Sequence, residues 1–112
     1  TVRRLWCSGR VLELAWDGRE AALRCDGERV EPAAARPLLE CGAIANDAEP
    51  ARDGGEPAGD PTEVALRIAA ERLGVRPEVE RLREVALSSE RKRMTVVTAG
   101  SPPREWMKGA PE

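Results

Sequence analysis

With 112 residues, the chain has the length of a single domain with a modest hydrophobic core. Its 18 basic and 20 acidic side chains leave a net charge of −2, so no global field draws in nucleic acid or an anionic membrane surface. No apolar run approaches the ~20 residues that a membrane-spanning helix needs. The three cysteines are far apart and histidine is absent, which argues against a metal site and favours reduced thiols.

The first 31 residues have the pattern of an antiparallel β-meander. Leu12, Leu14 and Trp16 alternate with small or charged residues, which is the period of two expected for one face of a sheet. The dipeptides Asp17-Gly18 and Asp26-Gly27 are typical of hairpin turns. The pattern predicts strands near residues 2–7, 10–16 and 20–25 and a weaker strand near 29–31.

The middle of the chain begins as a helix and then loses its regular pattern. Pro37 suits the first turn of a helix that runs to about Ala45 and docks on the sheet through its apolar side chains. Residues 46–59 are rich in Gly, Pro, Ala, Asp and Glu and contain no large hydrophobic residue. This composition predicts a flexible acidic surface loop.

The clearest helix signals follow this loop. Asp60 is a good N-cap, Pro61 occupies the first helical position and Glu63 the third, in a variant of the capping box. Gly74 is placed to end the helix. The remaining pattern predicts a short helix over 77–83 and strands near 91–98 and 104–108. We therefore expect one α+β domain over residues 1–112, with a twisted antiparallel β-sheet flanked by short helices.

Three short motifs occur in a fixed order in the second half of the chain. They are Gly59-Asp60-Pro61-Thr62-Glu63, Ser88-Ser89-Glu90-Arg91-Lys92 and Lys108-Gly109-Ala110-Pro111-Glu112. Together they resemble the nucleotide-binding (N) domain of P-type ATPases, on the calcium- and sodium-pump-like branch, over roughly residues 38–112. In that family the motifs come from separate elements and converge on one ATP pocket. The resemblance therefore implies an N domain or a fragment of one.

The resemblance gives the first and third motifs a role in base recognition. The residue of the family that matches Glu63 accepts a hydrogen bond from the adenine amino group. Lys108 is expected to lie deep in the pocket against the adenine ring, and Gly109 to let the ligand approach the backbone closely. From the residues alone, Glu63 is also explained as a helix cap and Lys108-Gly109 as a strand end before a turn, so both interpretations stay open.

The basic run Arg91-Lys92-Arg93 is divided between two faces of a predicted strand. Lys92 shares one face with Met94 and Val96, which suits a pocket wall with apolar surface for a purine and one cation for phosphate. By the resemblance, Lys92 points toward the phosphates and Met94 packs near the base. A solvated basic patch is the alternative. The near-neutral net charge disfavours a nucleic-acid interface here.

Leu87 departs from the pattern of the family. The family usually has Phe at this position, where it stacks on adenine, and this chain contains no Phe or Tyr. Base–aromatic stacking contributes roughly 1–3 kcal/mol per base, so a leucine here predicts weakened nucleotide binding through apolar contact alone. Trp106 shares a strand face with Lys108, but a position in the core is the expectation for its ring.

These features predict the ATP-binding domain of an ATP-driven cation pump, as a cytoplasmic part of an integral membrane protein. The expected ligand is ATP, as Mg-ATP in the full pump, and the expected partners are the phosphorylation and actuator domains of that pump. A monomer without nucleic acid or direct membrane insertion is expected. The family's phosphorylated Asp-Lys-Thr-Gly motif is absent from this sequence, so no catalytic residue is assigned. The alternative is a non-catalytic relic or interaction module that keeps the fold with weak or no nucleotide binding.

Overall fold

The structure, a computed structural model, describes residues 1–49, 55, 57–85 and 93–110. Within these ranges the strands are β1 (Arg4–Cys7), β2 (Arg10–Asp17), β3 (Glu20–Cys25), β4 (Glu28–Val30), β5 (Arg81–Val85), β6 (Arg93–Thr98) and β7 (Arg104–Gly109). The helices are α1 (Arg36–Ile44), which follows a 3₁₀ turn at Pro32–Ala35, and α2 (Pro61–Arg72). Antiparallel sheets with a few short helices confirm the α+β class.

The N-terminal strands form the meander that the sequence predicts. They pair antiparallel in the order β1-β2-β3-β4, with Leu14 opposite Leu23 on the buried face. The turn between β3 and β4 has both central residues in the left-handed region, Asp26 at φ 51° and Gly27 at φ 83°. Because a two-residue hairpin of this type needs positive φ at both positions, the Asp-Gly dipeptide was a reliable turn signal.

Helix α2 begins and ends where its capping residues predict. The side chain of Asp60 accepts hydrogen bonds from two backbone N–H groups of the first turn, at 3.0 and 3.2 Å. At the other end, Gly74 has φ 78°, and the N–H of Val75 donates to the carbonyl of Ala70 at 2.8 Å. This is a Schellman ending, for which glycine is favoured because it carries no Cβ in the left-handed conformation.

The C-terminal strands form a second sheet in the order β5-β6-β7. The short helix predicted over 77–83 is wrong, because β5 occupies residues 81–85 and pairs with β6. Val79 and Leu82 are 44% and 54% exposed, so this segment has no apolar face that a short helix could bury. A helix of that length is marginal without such burial, whereas strand pairing satisfies the same backbone groups.

Helix α1 connects two hydrophobic clusters. Its Leu39 and Ala43 pack with the inner face of the meander and with the C-terminal half of α2. Its last residue, Ile44, packs instead with Met94, Val96 and Trp106 of the second sheet. The two sheets are therefore held on one helix, and residues at its C-terminal end lie close to both α2 and β7.

The described residues at the two ends of the predicted acidic loop make defined contacts. Asn46 and Ala48 are 1% and 3% exposed, and Glu49 and Ala58 form an antiparallel bridge with backbone hydrogen bonds of 2.8 and 3.2 Å. Asp47 and Glu49 are exposed, whereas the Asn46 side chain is buried and bonds to the backbones of α1 and α2. Residues 50–54 and 56, on which the rest of that prediction falls, lie outside the described residues.

Candidate functional site

An ion pair joins two of the residues that the motifs single out. Glu63 lies in the first turn of α2, and Lys108 lies near the end of β7, 45 residues later. The Lys108 Nζ donates to the Glu63 Oε2 at 2.6 Å, and the two side chains are only 27% and 17% exposed. A charge-assisted hydrogen bond of this length is among the stronger polar contacts in proteins. The structure therefore brings the first and third motifs together.

The Glu63 carboxylate also receives a backbone hydrogen bond. The N–H of Asp47 donates to Oε2 at 2.9 Å. The capping box predicts instead that this carboxylate turns back to the N–H of the N-cap residue Asp60. That prediction is corrected by the contacts to Asp47 and Lys108, which use Glu63 to join α2 to the end of α1 and to β7. The Asp60 side chain caps the helix, and the Glu63 side chain is engaged by Asp47 and Lys108 instead.

Asn46 fixes the segment that carries the Asp47 N–H. Its Nδ2 donates to the carbonyls of Gly42 at 2.9 Å and Glu63 at 2.7 Å, and its Oδ1 accepts from the N–H of Ala48 at 2.8 Å. All of these bonds form in a site where Asn46 is 1% exposed. A buried amide with both ends paired holds its neighbours in one arrangement. Asn46 thus sets the position of the first turn of α2 relative to α1.

Arg81 anchors the same segment from the second sheet. Its guanidinium donates to the Ile44 carbonyl at 2.6 Å and also to the carbonyl of Asn46. It pairs with Asp47 at 3.4 Å and with Glu84 at 3.2 Å. The last carbonyls of a helix have no partner within the helix, and a cation there also interacts favourably with the helix dipole. Arg81 therefore closes the C-terminal end of α1 and holds β5 beside it.

An apolar pocket of about 250 Å³ lies next to Lys108, at the edge of the second sheet. Lys108 and Gly109 form one part of its wall. The other residues of the wall are nearly all apolar: Val2, Leu5, Leu38, Leu39, Cys41, Gly42, Leu66, Ala69 and Met107. A concave apolar surface with one convergent charged group is typical of small-molecule sites. An apolar group in this pocket would meet the Lys108 cation at one edge, and Glu63 adjoins the pocket only through its ion pair with Lys108.

Cys41 contributes packing to this wall. Its Sγ donates to the carbonyl of Met107 at 3.4 Å. Burial raises the pKa of the Cys41 thiol above its ordinary value of 9.0, and the neighbouring Lys108 ammonium opposes this shift in part. A thiol with a raised pKa stays protonated near neutral pH and is a poor nucleophile. Cys41 is a partly buried free cysteine in the structure.

The other predicted site residues are Met94, Gly109, Leu87 and Lys92. Met94 lies directly opposite Lys108 in the pairing of β6 with β7 and is 3% exposed, packed in the cluster around α1. Gly109 ends β7, is exposed, and lines the pocket. Leu87 and Lys92 lie outside the described residues, and so their predicted contacts stay predictions.

Trp106 is a core residue, as expected. Its ring is 9% exposed, its Nε1 donates to the Thr98 hydroxyl at 2.9 Å, and Arg104 lies over it at 5.5 Å. It therefore fills the cluster beneath the second sheet and does not supply a stacking surface in the pocket.

Sequence reasoning missed Asn46 and Arg81. An asparagine just after a predicted helix is a signal for a local cap, but the composition of residues 46–59 predicts a loop. No sequence signal marks the role of Arg81, because its partners at the end of α1 lie 34 to 37 residues away along the chain.

The fold and the site define an α+β domain in which a carboxylate–ammonium pair adjoins an apolar pocket. Residues 34–112 match the family model for the P-type ATPase cytoplasmic domain N, which includes Glu63, Lys108 and most of the pocket. Because this match spans more than half of the chain, the chain belongs to the family of P-type ATPase cytoplasmic N domains. No curated protein matches the chain. Among the described residues, no helix combines the length and the apolar character that crossing a membrane requires.

Proposed function

We propose that this domain binds ATP and presents it to a phosphorylation domain outside this chain, in a cation-transporting P-type ATPase of the calcium- and sodium-pump-like branch. The observation that supports the proposal most is the contact between Glu63 and Lys108. The two residues lie 45 positions apart in the segment that matches the family, and Lys108 also lines the apolar pocket.

The pocket suits the base of the nucleotide and leaves its phosphates outside. Ligand pockets of proteins usually measure about 300–1,000 Å³, and the volume here, about 250 Å³, fits a purine better than a whole nucleotide. Glu63 offers a carboxylate oxygen to the adenine amino group, and the Lys108 ammonium lies where it can contact the ring. A triphosphate held only by its base remains accessible to a separate domain, as phosphoryl transfer requires.

The ion pair also sets the expected affinity. The Lys108 ammonium is already neutralised by Glu63 at 2.6 Å, so a nucleotide must rearrange this contact to use either group. The leucine at position 87 also lacks the ring that stacks on the base in the family. We therefore expect weak binding of ATP by the isolated domain. No hydrolysis is expected, because the sequence lacks the Asp-Lys-Thr-Gly nucleophile.

An ATP titration followed by amide chemical shifts tests the proposal. Shifts are expected for residues 60–63, 87–96 and 106–110, and phosphate release is expected to stay at background. Lys108→Ala should weaken ATP, AMP and adenosine alike, whereas Lys92→Ala should weaken ATP more than adenosine. A folded protein that gives no shifts at millimolar ATP, or shifts outside these segments, contradicts the proposal.

Leu87→Phe provides the matching gain-of-binding test. If position 87 faces the base, the restored ring should tighten ATP, AMP and adenosine by about fivefold each, equivalent to ~1 kcal/mol of stacking. If Leu87 is a core residue, the larger ring should leave affinity unchanged and lower stability by about 1–3 kcal/mol. Calorimetric titration and a thermal melt of the same variant separate the two outcomes.

A non-catalytic relic or interaction module is the second candidate. The observation that favours it is the absence of any Phe or Tyr from the chain, which removes the stacking residue of the family. It predicts an intact fold with no response to ATP, AMP or adenosine, and no gain from Leu87→Phe.

A further inference from the structure

A second and larger cavity, of about 650 Å³, lies between the meander sheet and α2. Its walls carry the side chains of Arg3, Trp16, Arg19, Val64, Ile68 and Arg72, among others. The cavity shares no lining residue with the pocket beside Lys108. More than half of its lining residues come from residues 1–19, which precede the segment that matches the family.

The charge in this cavity has one sign. Three arginines line it, from the segment before β1, the β2–β3 turn and the last turn of α2, and no aspartate or glutamate does. Arg3 and Arg72 form no side-chain hydrogen bond or ion pair with the part of the chain that the structure describes, and the Arg72 Nε is buried without a partner. Arg3 and Arg72 come from separate elements and line one cavity without a carboxylate in its wall, which favours an anion there.

The cavity also has a fixed apolar wall. The Trp16 Nε1 donates to the carbonyl of Val2 at 2.8 Å, which holds the indole in one orientation. Val64 and Ile68 face the cavity from one side of α2, four residues apart. A ligand that contacts both the apolar wall and the arginines needs an apolar body and an anionic group. The volume lies within the range of sites for small organic molecules.

We propose that this cavity is a binding site for an amphipathic organic anion, with an aromatic or acyl body against Trp16, Val64 and Ile68 and a phosphate, sulfonate or carboxylate group at Arg3 and Arg72. This site goes beyond the proposed nucleotide function, because it shares no lining residue with the pocket beside Lys108. Arg72 lies in the last turn of α2, where its charge also interacts favourably with the helix dipole. The effect of its substitution on stability is therefore measured separately from the effect on binding.

1-Naphthyl phosphate is a suitable probe, because it combines a flat apolar body with a dianionic group. We expect it to shift the Trp16 indole signal and the amides of residues 16–19 and 64–72. 1-Naphthol and inorganic phosphate each carry half of the required chemistry and should bind at least about tenfold more weakly. Binding of 1-naphthol as tight as that of its phosphate would overturn the role of the arginines.

Arg72→Gln and Arg3→Gln should each weaken 1-naphthyl phosphate by about five- to tenfold, since each removes one charge-assisted contact. Arg29→Gln, on an exposed strand outside the cavity, is the matched control and should leave the affinity unchanged. A melt of each variant accompanies the titration, and if Arg72→Gln lowers the melting temperature, Arg3→Gln decides. An equal loss in Arg29→Gln, no loss in Arg3→Gln, or shifts confined to residues 106–110 would overturn the proposal. ATP titrations report on the other pocket, so the two proposals fail independently.

Discussion

Separating Glu63 from Lys108 is the sharpest test of how the site is held together. Glu63→Gln keeps the shape of the side chain and removes its charge, while Lys108→Met keeps the alkyl stem without the ammonium. The double variant Glu63→Gln/Lys108→Met completes a thermodynamic cycle, which isolates the pairwise energy from the other effects of each change.

The magnitude follows from the burial of the pair. Exposed ion pairs contribute about 0.2–1 kcal/mol, whereas removing one partner of a fully buried pair costs about 3–5 kcal/mol. Side chains that are 27% and 17% exposed lie between these limits. We expect each single change to lower the free energy of unfolding by about 1–2 kcal/mol and the coupling between them to be about 1 kcal/mol. Lys108→Met should cost more, because it leaves the Glu63 carboxylate with only the Asp47 N–H as a partner.

Urea unfolding of the four proteins, at low and high salt, measures the coupling. A partly buried pair should keep most of its coupling at high salt, because screening acts mainly on exposed charges. Glu84→Gln is the control: its carboxylate is 37% exposed in its pair with Arg81, and the change should cost less than about 1 kcal/mol. A coupling below about 0.5 kcal/mol, or one abolished by salt, would refute the view that this pair holds α2 on β7.

Three further changes test the surroundings of the site. Asn46→Ala removes the hydrogen bonds of a residue that is 1% exposed, so urea unfolding should show a decrease of about 2–4 kcal/mol in the free energy of unfolding. A decrease below about 1 kcal/mol would mean that water replaces the amide. Arg81→Lys keeps the charge without the fork that reaches two carbonyls and should cost about 1–2 kcal/mol, whereas Arg83→Lys on the same exposed strand should change stability by less than about 0.5 kcal/mol. Burial raises the pKa of the Cys41 thiol in the folded protein above the unfolded pKa of 9.0. The protonated thiol therefore makes its full contribution to the free energy of unfolding below pH 9.0, and this contribution is lost as the pH rises through the folded pKa. The melting temperature of the native protein should therefore fall more steeply above pH 9.0 than that of Cys41→Ala, and parallel curves would contradict this.

Local patterns located most of the elements because their causes are local. The Asp-Gly turn at Asp26, the cap at Asp60 and the stop at Gly74 each depend on backbone conformations within a few residues. The strand β5 was missed because its pairing with β6 is the reason it is a strand, and its own side chains are mostly exposed.

For the site, the sequence alone determined which residues carry the chemistry. The motifs at Glu63 and Lys108 could be read in one dimension, and so could the loss of an aromatic residue at position 87. Only the tertiary structure decided how these residues are held: that Glu63 turns away from its own helix end to meet Lys108, that Asn46 and Arg81 fix the segment between them, and that Met94 is buried. The reason is physical. A side-chain rotamer is chosen by the donors and acceptors that folding places around it, and the donors to Glu63 come from residues 16 and 45 positions away along the chain.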